Sequence, residues 1–324
     1  MITAGYILLI LALIFVLIRA ADHLIFSLKH LARLTHTGVF VLSALIIALG
    51  TSMPELFVGI TSAVEGVSSL ALGVIIGSNI TNIALIGGIT AFIIGRVHVH
   101  GELIKKEVLI SFLAGLLPII LVLDGNLSRL DGFILILAYC AYTASFFRNK
   151  IAQAKDEHTR EAYFHRLLRQ VNHINGSATK EFTRMFLSAA VLLFSADWIV
   201  KLTKILAFKA NFPIFLVGLI FLALGTSLPE LVFSIRSLED KEPSMFLGNL
   251  TGSTIVNSTL VIGIATLINP VKIGKIDEFV LPAIFFALIF ASFWYFIKSK
   301  SRLDRWEAGV LLSLYCAFIV VEFL

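Results

Sequence analysis

The chain has 324 residues, of which 58% are hydrophobic and 15% are charged, and its mean hydropathy is +0.95. A soluble domain carries about a quarter charged residues, so this composition excludes an ordinary soluble enzyme and leaves no room for a sizeable soluble domain. The net charge of +5 does not indicate nucleic-acid binding, because the basic residues fall in short connections between apolar stretches, where membrane orientation explains them.

Apolar stretches of membrane-spanning length recur along the whole chain. We predict ten transmembrane helices, and hence an all-α membrane protein. The expected spans are 6–18, 39–64, 70–94, 108–123, 133–147, 185–206, 214–238, 245–268, 280–297 and 308–324. The opening stretch lacks a basic n-region and a small-residue cleavage site, so we interpret it as the first span and not as a removed signal peptide.

The distribution of Lys and Arg predicts the orientation of these spans. With the N-terminus outside, 20 of the 26 Lys and Arg residues fall in inward connections. Both termini are then outside, and the polar segment 149–183 is a cytoplasmic linker between two five-helix units, 1–148 and 184–324. We expect the protein to lie in the plasma (cytoplasmic) membrane, with the lipid bilayer as its surroundings.

An internal repeat is the strongest signal in the sequence. Residues 50–88 align without a gap to residues 225–263, a constant offset of 225 − 50 = 175, and 17 of these 39 positions are identical. The same offset pairs Asp22 with Asp197, so the duplication extends over each half of the chain. Five spans separate equivalent points, and an odd number of crossings reverses direction. The two halves are therefore predicted to be inverted repeats, as in secondary transporters.

Both copies carry the motif G-T-S-x-P-E inside an apolar span, which places Glu55 and Glu230 within the membrane. A charged carboxylate at that depth is costly unless it is paired or faces a polar cavity, and such residues usually mark an ion or substrate site. A structural ion pair is the alternative, but the sequences of spans 2, 3, 7 and 8 contain no Lys or Arg at a comparable depth.

The proline of each motif, Pro54 or Pro229, cannot donate a backbone hydrogen bond. We expect it to free carbonyl groups at about Gly50 to Ser52 and Gly225 to Ser227, which could bind a cation where the backbone lines a cavity. A simple helix kink between packing residues is the alternative.

The motif G-S-x-I-x-N follows in each copy and places Ser78 with Asn82, and Ser253 with Asn257, on one helical face. These side chains supply neutral oxygens, although such residues also form ordinary helix contacts. Carboxylate, hydroxyl and amide oxygens without His or Cys favour hard cations. Two carboxylates balance one Ca²⁺, and the same oxygens could serve several Na⁺ ions in turn.

These paired motifs resemble the cation/calcium exchanger superfamily, specifically its prokaryotic sodium/calcium exchanger branch, over essentially the whole chain. The resemblance implies four cation sites at the membrane midplane and the exchange of three Na⁺ for one Ca²⁺ by alternating access. It implies that Ca²⁺ is bound by Glu55, Glu230 and the carbonyls of Thr51 and Thr226. It implies Na⁺ ligands at Ser52, Ser78, Ser227, Ser253 and the carbonyls of Ala48 and Ala223, with Asn82 and Asn257 at the centre.

The second repeat departs from the family pattern at two positions. Thr254 stands where Asn is usual, and Asn257 stands where some relatives carry Asp. Potassium-dependent exchangers resemble one another in having Asp at the latter position, so Asn257 argues against potassium cotransport. The motif G-N-x-x-E, typical of proton/calcium exchangers, does not replace G-T-S-x-P-E in this chain, which favours Na⁺ over protons.

Three alternatives remain open at this stage. An H⁺/Ca²⁺ exchanger of the same superfamily is the nearest, a cation channel is the second, and a membrane-embedded hydrolase is the third. All eight histidines lie in loops or near span ends, away from the serine-rich motifs, which disfavours the hydrolase. We therefore expect a transporter and not an enzyme, with no cofactor, with Ca²⁺ and Na⁺ as cargo, no nucleic-acid partner, and a monomer as the working unit.

Overall fold

The computed structural model of the chain describes residues 2–34, 50–98, 102–153, 176–210, 212–239, 243–273 and 277–323. These residues are predominantly helical, as the sequence predicts. Among them, seven helical stretches are long and apolar enough to cross a bilayer. The protein is therefore an integral membrane protein.

Among the described residues of the first half, one π-helical segment lies between the helices. They are α1 (Ile2–Leu34), α2 (Met53–Val64), α3 (Ser68–Ile80), π1 (Thr81–Ile86), α4 (Gly87–Ile94), α5 (Glu102–Leu121) and α6 (Arg129–Gln153). A short 3₁₀ helix, Val122–Asp124, follows α5. Segments α3, π1 and α4 run on without a break, so they form one long buried helix.

The second half contains corresponding segments and three more. Its segments are α7 (Gly176–Ala210), α8 (Ile214–Leu216), π2 (Val217–Leu222), α9 (Ala223–Thr226), α10 (Leu228–Glu239), α11 (Pro243–Ile255), π3 (Val256–Val261), α12 (Ile262–Ile268), α13 (Asp277–Lys300) and α14 (Arg305–Glu322). The additional segments are α8, π2 and α9, whose equivalents at 39–51 lie mostly outside the described residues. The first turns of α14 begin with a capping box, in which Asp304 and Glu307 satisfy one another's backbone N–H groups.

The ten expected spans correspond to helices wherever the structure describes them. The seven membrane-length stretches cover the spans expected at 6–18, 70–94, 108–123, 185–206, 214–238, 245–268 and 280–297. The other three correspond to the short apolar helix α2, to α6 and to α14, and the beginning of the span at 39–64 lies outside the described residues. Helix is also present at both ends of the expected linker 149–183, since α6 ends at Gln153 and α7 begins at Gly176.

Two short antiparallel strand pairs join connections from different halves. Strand β1 (Arg96–His98) pairs with β4 (Arg302–Asp304), and β2 (Asn126–Leu127) pairs with β3 (Val271–Lys272). The α4–α5 connection therefore lies beside the α13–α14 connection, and the α5–α6 connection lies beside the α12–α13 connection. Salt bridges reinforce the first pair, because Asp304 contacts both Arg96 (3.0 Å) and Arg302 (3.1 Å).

Helices α1 and α7 pack along each other, and their buried residues, such as Leu17 and Ile199, form one hydrophobic cluster together with residues of α2, α3 and π2 that include Val58, Leu70 and Leu222. A second and larger cluster is built by the remaining helices and is rich in stacked aromatic rings, including Phe286 and Phe290. The outer face of α1 is apolar and exposed, with Leu8 68% exposed, as expected of a surface that faces lipid. The described residues thus form two main hydrophobic clusters, and the smaller one packs the α1–α7 pair against α2, α3 and π2.

Polar contacts also tie α7 to the rest of the protein. Glu65, in the α2–α3 connection, lies 3.7 Å from the Nζ of Lys201 and 3.6 Å from that of Lys204. Lys204 also donates a hydrogen bond to the carbonyl oxygen of Glu65 at 2.9 Å. These groups, which we call the α7 latch, connect one end of α7 to the α2–α3 connection.

Glycines allow the two halves to approach closely at the centre. A Cβ atom at Gly73 or Gly77 would overlap the carbonyl oxygen of Phe215 or Leu219, respectively. Helix α3 of the first half therefore packs backbone to backbone against α8 and π2 of the second half, a contact that only small residues permit in a membrane bundle.

Candidate functional site

A helix break precedes each of the two buried glutamates. Ser52, before α2, has φ −81° and ψ 6°, and Ser227, between α9 and α10, has φ −84° and ψ 2°. The prolines that follow lie in the first turn of the next helix, where a missing N–H is tolerated. The breaks put Glu55 and Glu230 in the first turns of α2 and α10, where the positive end of the helix dipole favours a carboxylate.

The breaks release fewer carbonyl groups than the sequence predicts. The carbonyl oxygen of Ser52 accepts the N–H of Leu56 at 3.0 Å, and that of Ser227 accepts the N–H of Leu231 at 3.2 Å. The expectation of free carbonyls at Ser52 and Ser227 is therefore wrong, because a proline removes only the bond to the carbonyl four residues before it.

Two further backbone carbonyls, those of Ala223 and Ala48, are predicted to bind Na⁺. The carbonyl oxygen of Ala223 accepts two hydrogen bonds, from the N–H of Ser227 at 3.1 Å and from the hydroxyl of Thr226 at 3.4 Å. Ala48 lies outside the described residues.

Both glutamates are fully buried, with 0% of each exposed. The hydroxyl of Ser78 donates a hydrogen bond to Oε1 of Glu55 at 3.3 Å and lies 3.3 Å from the hydroxyl of Thr226. A serine of the first repeat therefore contacts both a glutamate of its own half and a threonine of the other. Among the described residues, Oε2 of Glu55 and both carboxylate oxygens of Glu230 have no hydrogen-bond partner.

Each asparagine of the G-S-x-I-x-N motifs lies in a π-helical segment, Asn82 in π1 and Asn257 in π3. The two segments begin at Thr81 and Val256, which differ by the repeat offset of 256 − 81 = 175. Such π-helical insertions frequently occur at functional sites because they displace side chains from the regular helical face.

Both asparagine amides are held on their N–H side. The Nδ2 of Asn82 donates to the hydroxyl of Ser253 at 3.3 Å, and the Nδ2 of Asn257 donates to Oδ1 of Asn79 at 3.4 Å. The Oδ1 atom of each amide is buried and has no hydrogen-bond partner among the described residues. Each amide therefore presents an unused oxygen.

Seven buried side-chain oxygens of the predicted site residues lack a hydrogen-bond partner within the described part of the chain. They are Glu55 Oε2, Glu230 Oε1, Glu230 Oε2, Ser52 Oγ, Ser227 Oγ, Asn82 Oδ1 and Asn257 Oδ1. Buried oxygens are seldom left unpaired, and a set that includes two carboxylates is unfavourable unless a cation binds there. Within the same residues there is no cluster of three or more His, Cys, Asp or Glu side chains, so the ligand set is one of mixed oxygens.

Three polar residues that the sequence analysis did not single out contact this site. Asn249 accepts a hydrogen bond from the hydroxyl of Thr51 at 3.1 Å, Asn79 contacts Asn257, and the hydroxyl of Ser258 accepts a bond from Nδ2 of Asn79 at 2.7 Å. Like the predicted ligands, each is a polar residue within an apolar span. They do not recur in the other repeat, so a comparison of the two repeats does not identify them.

The sequence profile of the family described as sodium/calcium exchanger protein matches residues 5–148 and 181–324. The chain belongs to this family. Its relatives include the sodium/calcium exchanger MaX1 of Methanosarcina acetivorans, which is 26% identical over 351 aligned positions covering 100% of this chain and 99% of the relative. The family is one of transporters, in agreement with the expected class of function.

Two solved structures of related fold bear on the architecture. The sodium–calcium exchanger NCX_Mj superimposes with a TM-score of 0.64 at 25% identity, covering 99% of this chain and 98% of its own. The H⁺/Ca²⁺ exchanger CAX gives a higher TM-score of 0.75 at 16% identity, covering 97% and 82%. At 16% identity, the higher value for CAX shows a shared fold and does not identify the coupled ion.

Proposed function

We propose that this protein is a secondary antiporter that exchanges Na⁺ for Ca²⁺ across the membrane. The proposal rests on the seven buried side-chain oxygens, from both repeats, that lack a hydrogen-bond partner among the described residues. Oxygen ligands of this kind are preferred by Ca²⁺ and Na⁺, whereas transition metals favour nitrogen and sulfur. Membership of the exchanger family supports the same conclusion.

The charge of the site suits the exchange. Glu55 and Glu230 together balance one Ca²⁺, and with Na⁺ the same two charges are shared among ions of lower charge. We propose that Ca²⁺ is bound by the two carboxylates and by the carbonyls of Thr51 and Thr226. The proposed Na⁺ ligands are Ser52, Ser78, Ser227, Ser253 and the carbonyls of Ala48 and Ala223, with Asn82 and Asn257 between them.

The proposed architecture is ten transmembrane helices in two inverted repeats, 1–148 and 184–324, joined by a cytoplasmic linker. Two observations support it. Segments π1 and π3 and the serine breaks recur at the offset of 175. The strand pairs β1–β4 and β2–β3 are also exchanged by that relation to within one residue, since β1 corresponds to β3 and β2 to β4.

The extensive packing of α1 along α7, with this pair lying against α2, α3 and π2, supports a mechanism of alternating access. In this mechanism α1 and α7 slide over the other helices and expose the ion site first to one side of the membrane and then to the other. We further propose that the protein works as a monomer in the plasma membrane, with both termini outside, without a cofactor or an enzymatic activity.

The test is uptake of ⁴⁵Ca²⁺ into proteoliposomes loaded with Na⁺. We expect uptake that requires internal Na⁺ and that changes with an imposed membrane potential if three Na⁺ move against one Ca²⁺. Vesicles loaded with choline instead of Na⁺ are the control. Equal uptake in the two preparations would refute Na⁺ coupling.

Coupling to protons is the second candidate, because the H⁺/Ca²⁺ exchanger CAX shares this fold and the fold alone does not identify the coupled ion. Against it, protons require only the carboxylates, whereas four of the seven unpaired oxygens belong to neutral serines and asparagines. In Na⁺-free vesicles, Ca²⁺ uptake driven by a pH gradient alone would establish proton coupling.

A further inference from the structure

The amide of Asn257 is held by a chain of hydrogen bonds that passes through Asn79 of the other half of the protein and returns to Ser258. Nδ2 of Asn257 donates to Oδ1 of Asn79 at 3.4 Å, and Nδ2 of Asn79 donates to the hydroxyl of Ser258 at 2.7 Å. All three residues are at most 1% exposed. The shorter bond fixes the amide of Asn79, and Asn79 in turn presents its oxygen to Asn257.

This chain of bonds has no equivalent on the other side of the repeat. The residues equivalent to Asn79 and Ser258 are Thr254 and Ile83, because 79 + 175 = 254 and 258 − 175 = 83. The hydroxyl of Thr254 donates to the carbonyl of Leu250 in its own helix at 2.9 Å, and Ile83 has no polar side-chain group.

The equivalent asparagine is oriented by a different residue. Asn82 donates to the hydroxyl of Ser253, which is itself among the proposed ligands. The hydroxyl of Ser253 donates to the carbonyl of Leu250 at 3.3 Å, so its lone pairs are available to Asn82. Thus one central amide is held by a ligand, and the other is held by a residue outside the predicted ligand set.

We propose that Asn79 is a positioning residue for cation binding, which acts by holding the amide of Asn257 so that its oxygen faces the ion. This inference deepens the proposed function and rests on it. An asparagine amide can turn about its last torsion with little preference between two orientations. Without an acceptor at Asn79, the N–H₂ group of Asn257 can turn towards the cation, which it repels, and the ligand oxygen is lost.

Only a hydrogen-bond acceptor beside its N–H₂ group can select the orientation of the Asn257 amide. The buried Oδ1 of Asn257 has no donor near it in the described part of the chain, so hydrogen bonding on that side does not select an orientation. The contact with Asn79 Oδ1 does select one, because that oxygen can accept from the N–H₂ group but cannot donate to the carbonyl oxygen.

The test compares Asn79→Leu with Thr254→Val in Na⁺-driven ⁴⁵Ca²⁺ uptake. Each variant removes the polar group at one of two equivalent positions, but only the first removes the acceptor of Asn257. For Asn79→Leu we expect the half-saturating concentration of Ca²⁺, of Na⁺ or of both to rise about fivefold, the equivalent of one net hydrogen bond, with a maximal rate within about twofold of the wild type. Thr254→Val should leave all three quantities within about twofold of the wild type.

A second measurement separates positioning from a general loss of structure. In detergent, the rise of the melting temperature with added Ca²⁺ is compared between Asn257→Ala and the double variant Asn79→Leu/Asn257→Ala. If Asn79 acts through Asn257, the double variant loses no further affinity, and an additional fivefold loss would overturn the proposal. If Asn257→Ala shows no measurable Ca²⁺ response, Ser258→Ala replaces this arm and should weaken binding in the same direction as Asn79→Leu.

The results of these experiments distinguish a failure of the proposed exchange function from a failure of the positioning role of Asn79. A wild type that binds Ca²⁺ without exchanging it for Na⁺ would refute the proposed exchange, and the melting experiment would still decide the role of Asn79. A wild type that exchanges normally, with Asn79→Leu and Thr254→Val indistinguishable from it in affinity, would refute the positioning role alone.

Discussion

Glu230→Gln is the substitution that most directly tests whether the buried oxygens form the cation site. The glutamate side chain is 0% exposed, and neither carboxylate oxygen has a hydrogen-bond partner among the described residues. Gln has the same size but no charge. The substitution therefore removes one charge from the site with little change in side-chain size.

Two effects of opposite sign set the size of the expected change. A divalent cation about 4 Å from the carboxylate charge gains about 8 kcal/mol at an effective dielectric constant of about 20. The amide oxygen of Gln can still ligate the ion, which recovers part of this attraction. A net loss of about 3 kcal/mol or more in Ca²⁺ binding remains, and this corresponds to at least about a hundredfold lower affinity. In the absence of ions, the same substitution should leave the melting temperature unchanged or raise it, because an unpaired buried charge has been removed.

The assay is ⁴⁵Ca²⁺ uptake into Na⁺-loaded proteoliposomes, together with the melting temperature in detergent without Ca²⁺. The matched control is Glu322→Gln, since Glu322 in α14 also has an unpaired buried oxygen, Oε1, but lies outside the site. We expect lost uptake with an intact fold for Glu230→Gln and normal uptake for the control. Uptake by Glu230→Gln within about twofold of the wild type would refute the reasoning, because the lost charge should change affinity far more than that.

Three further substitutions test separate parts of the mechanism. Asn257→Asp should make Ca²⁺ uptake depend on pH between acid and neutral, because a third carboxyl group titrates against the two glutamates, and identical pH profiles or a wild-type requirement for K⁺ would contradict this. Ser52→Ala combined with Ser227→Ala should raise the half-saturating Na⁺ concentration about tenfold and change that of Ca²⁺ less, and equal shifts for the two ions would count against hydroxyl ligands specific to Na⁺. Glu65→Gln removes both ion pairs of the α7 latch but leaves its backbone hydrogen bond. It should raise the maximal exchange rate at most a few-fold without changing affinity, and a change in affinity alone would argue against a role in helix movement.

The sequence predicts the helices well where hydrophobicity decides the structure. Long apolar stretches such as 70–94 and 245–268 must be helical in a bilayer, because only a helix satisfies their backbone groups within one segment. The segment 133–147 is helical too, but it is not among the stretches that are apolar enough to be assigned to the membrane by composition alone. Helix is therefore easier to predict than the number of crossings.

The site is predictable where it obeys the repeat, and less so where it does not. Comparison of the two copies identifies Glu55 and Glu230, because each is expensive to bury and each occurs at the same place in its half. Each proline frees fewer backbone carbonyls than the sequence predicts, since the carbonyls of Ser52 and Ser227 keep their helical hydrogen bonds. Asn79 and Asn249 could not be found by comparing the copies, because their equivalents are Thr254 and Val74.

This division between shared and unshared residues has a physical meaning for an alternating transporter. If the two halves were identical, the states open to each side would have equal energy, and the ion would bind equally well from both sides. The glutamates and the π-helical segments maintain that symmetry at the ion itself. Contacts that occur on one side only, such as Asn79 with Asn257 or Asn249 with Thr51, can differ in strength between the two states. A difference of about 1 kcal/mol, which is the net contribution of one hydrogen bond, changes the ratio of the two states about fivefold. The residues that break the repeat are therefore the ones expected to set the preferred direction and the relative affinities on the two sides, while the residues that follow it determine which ions are carried.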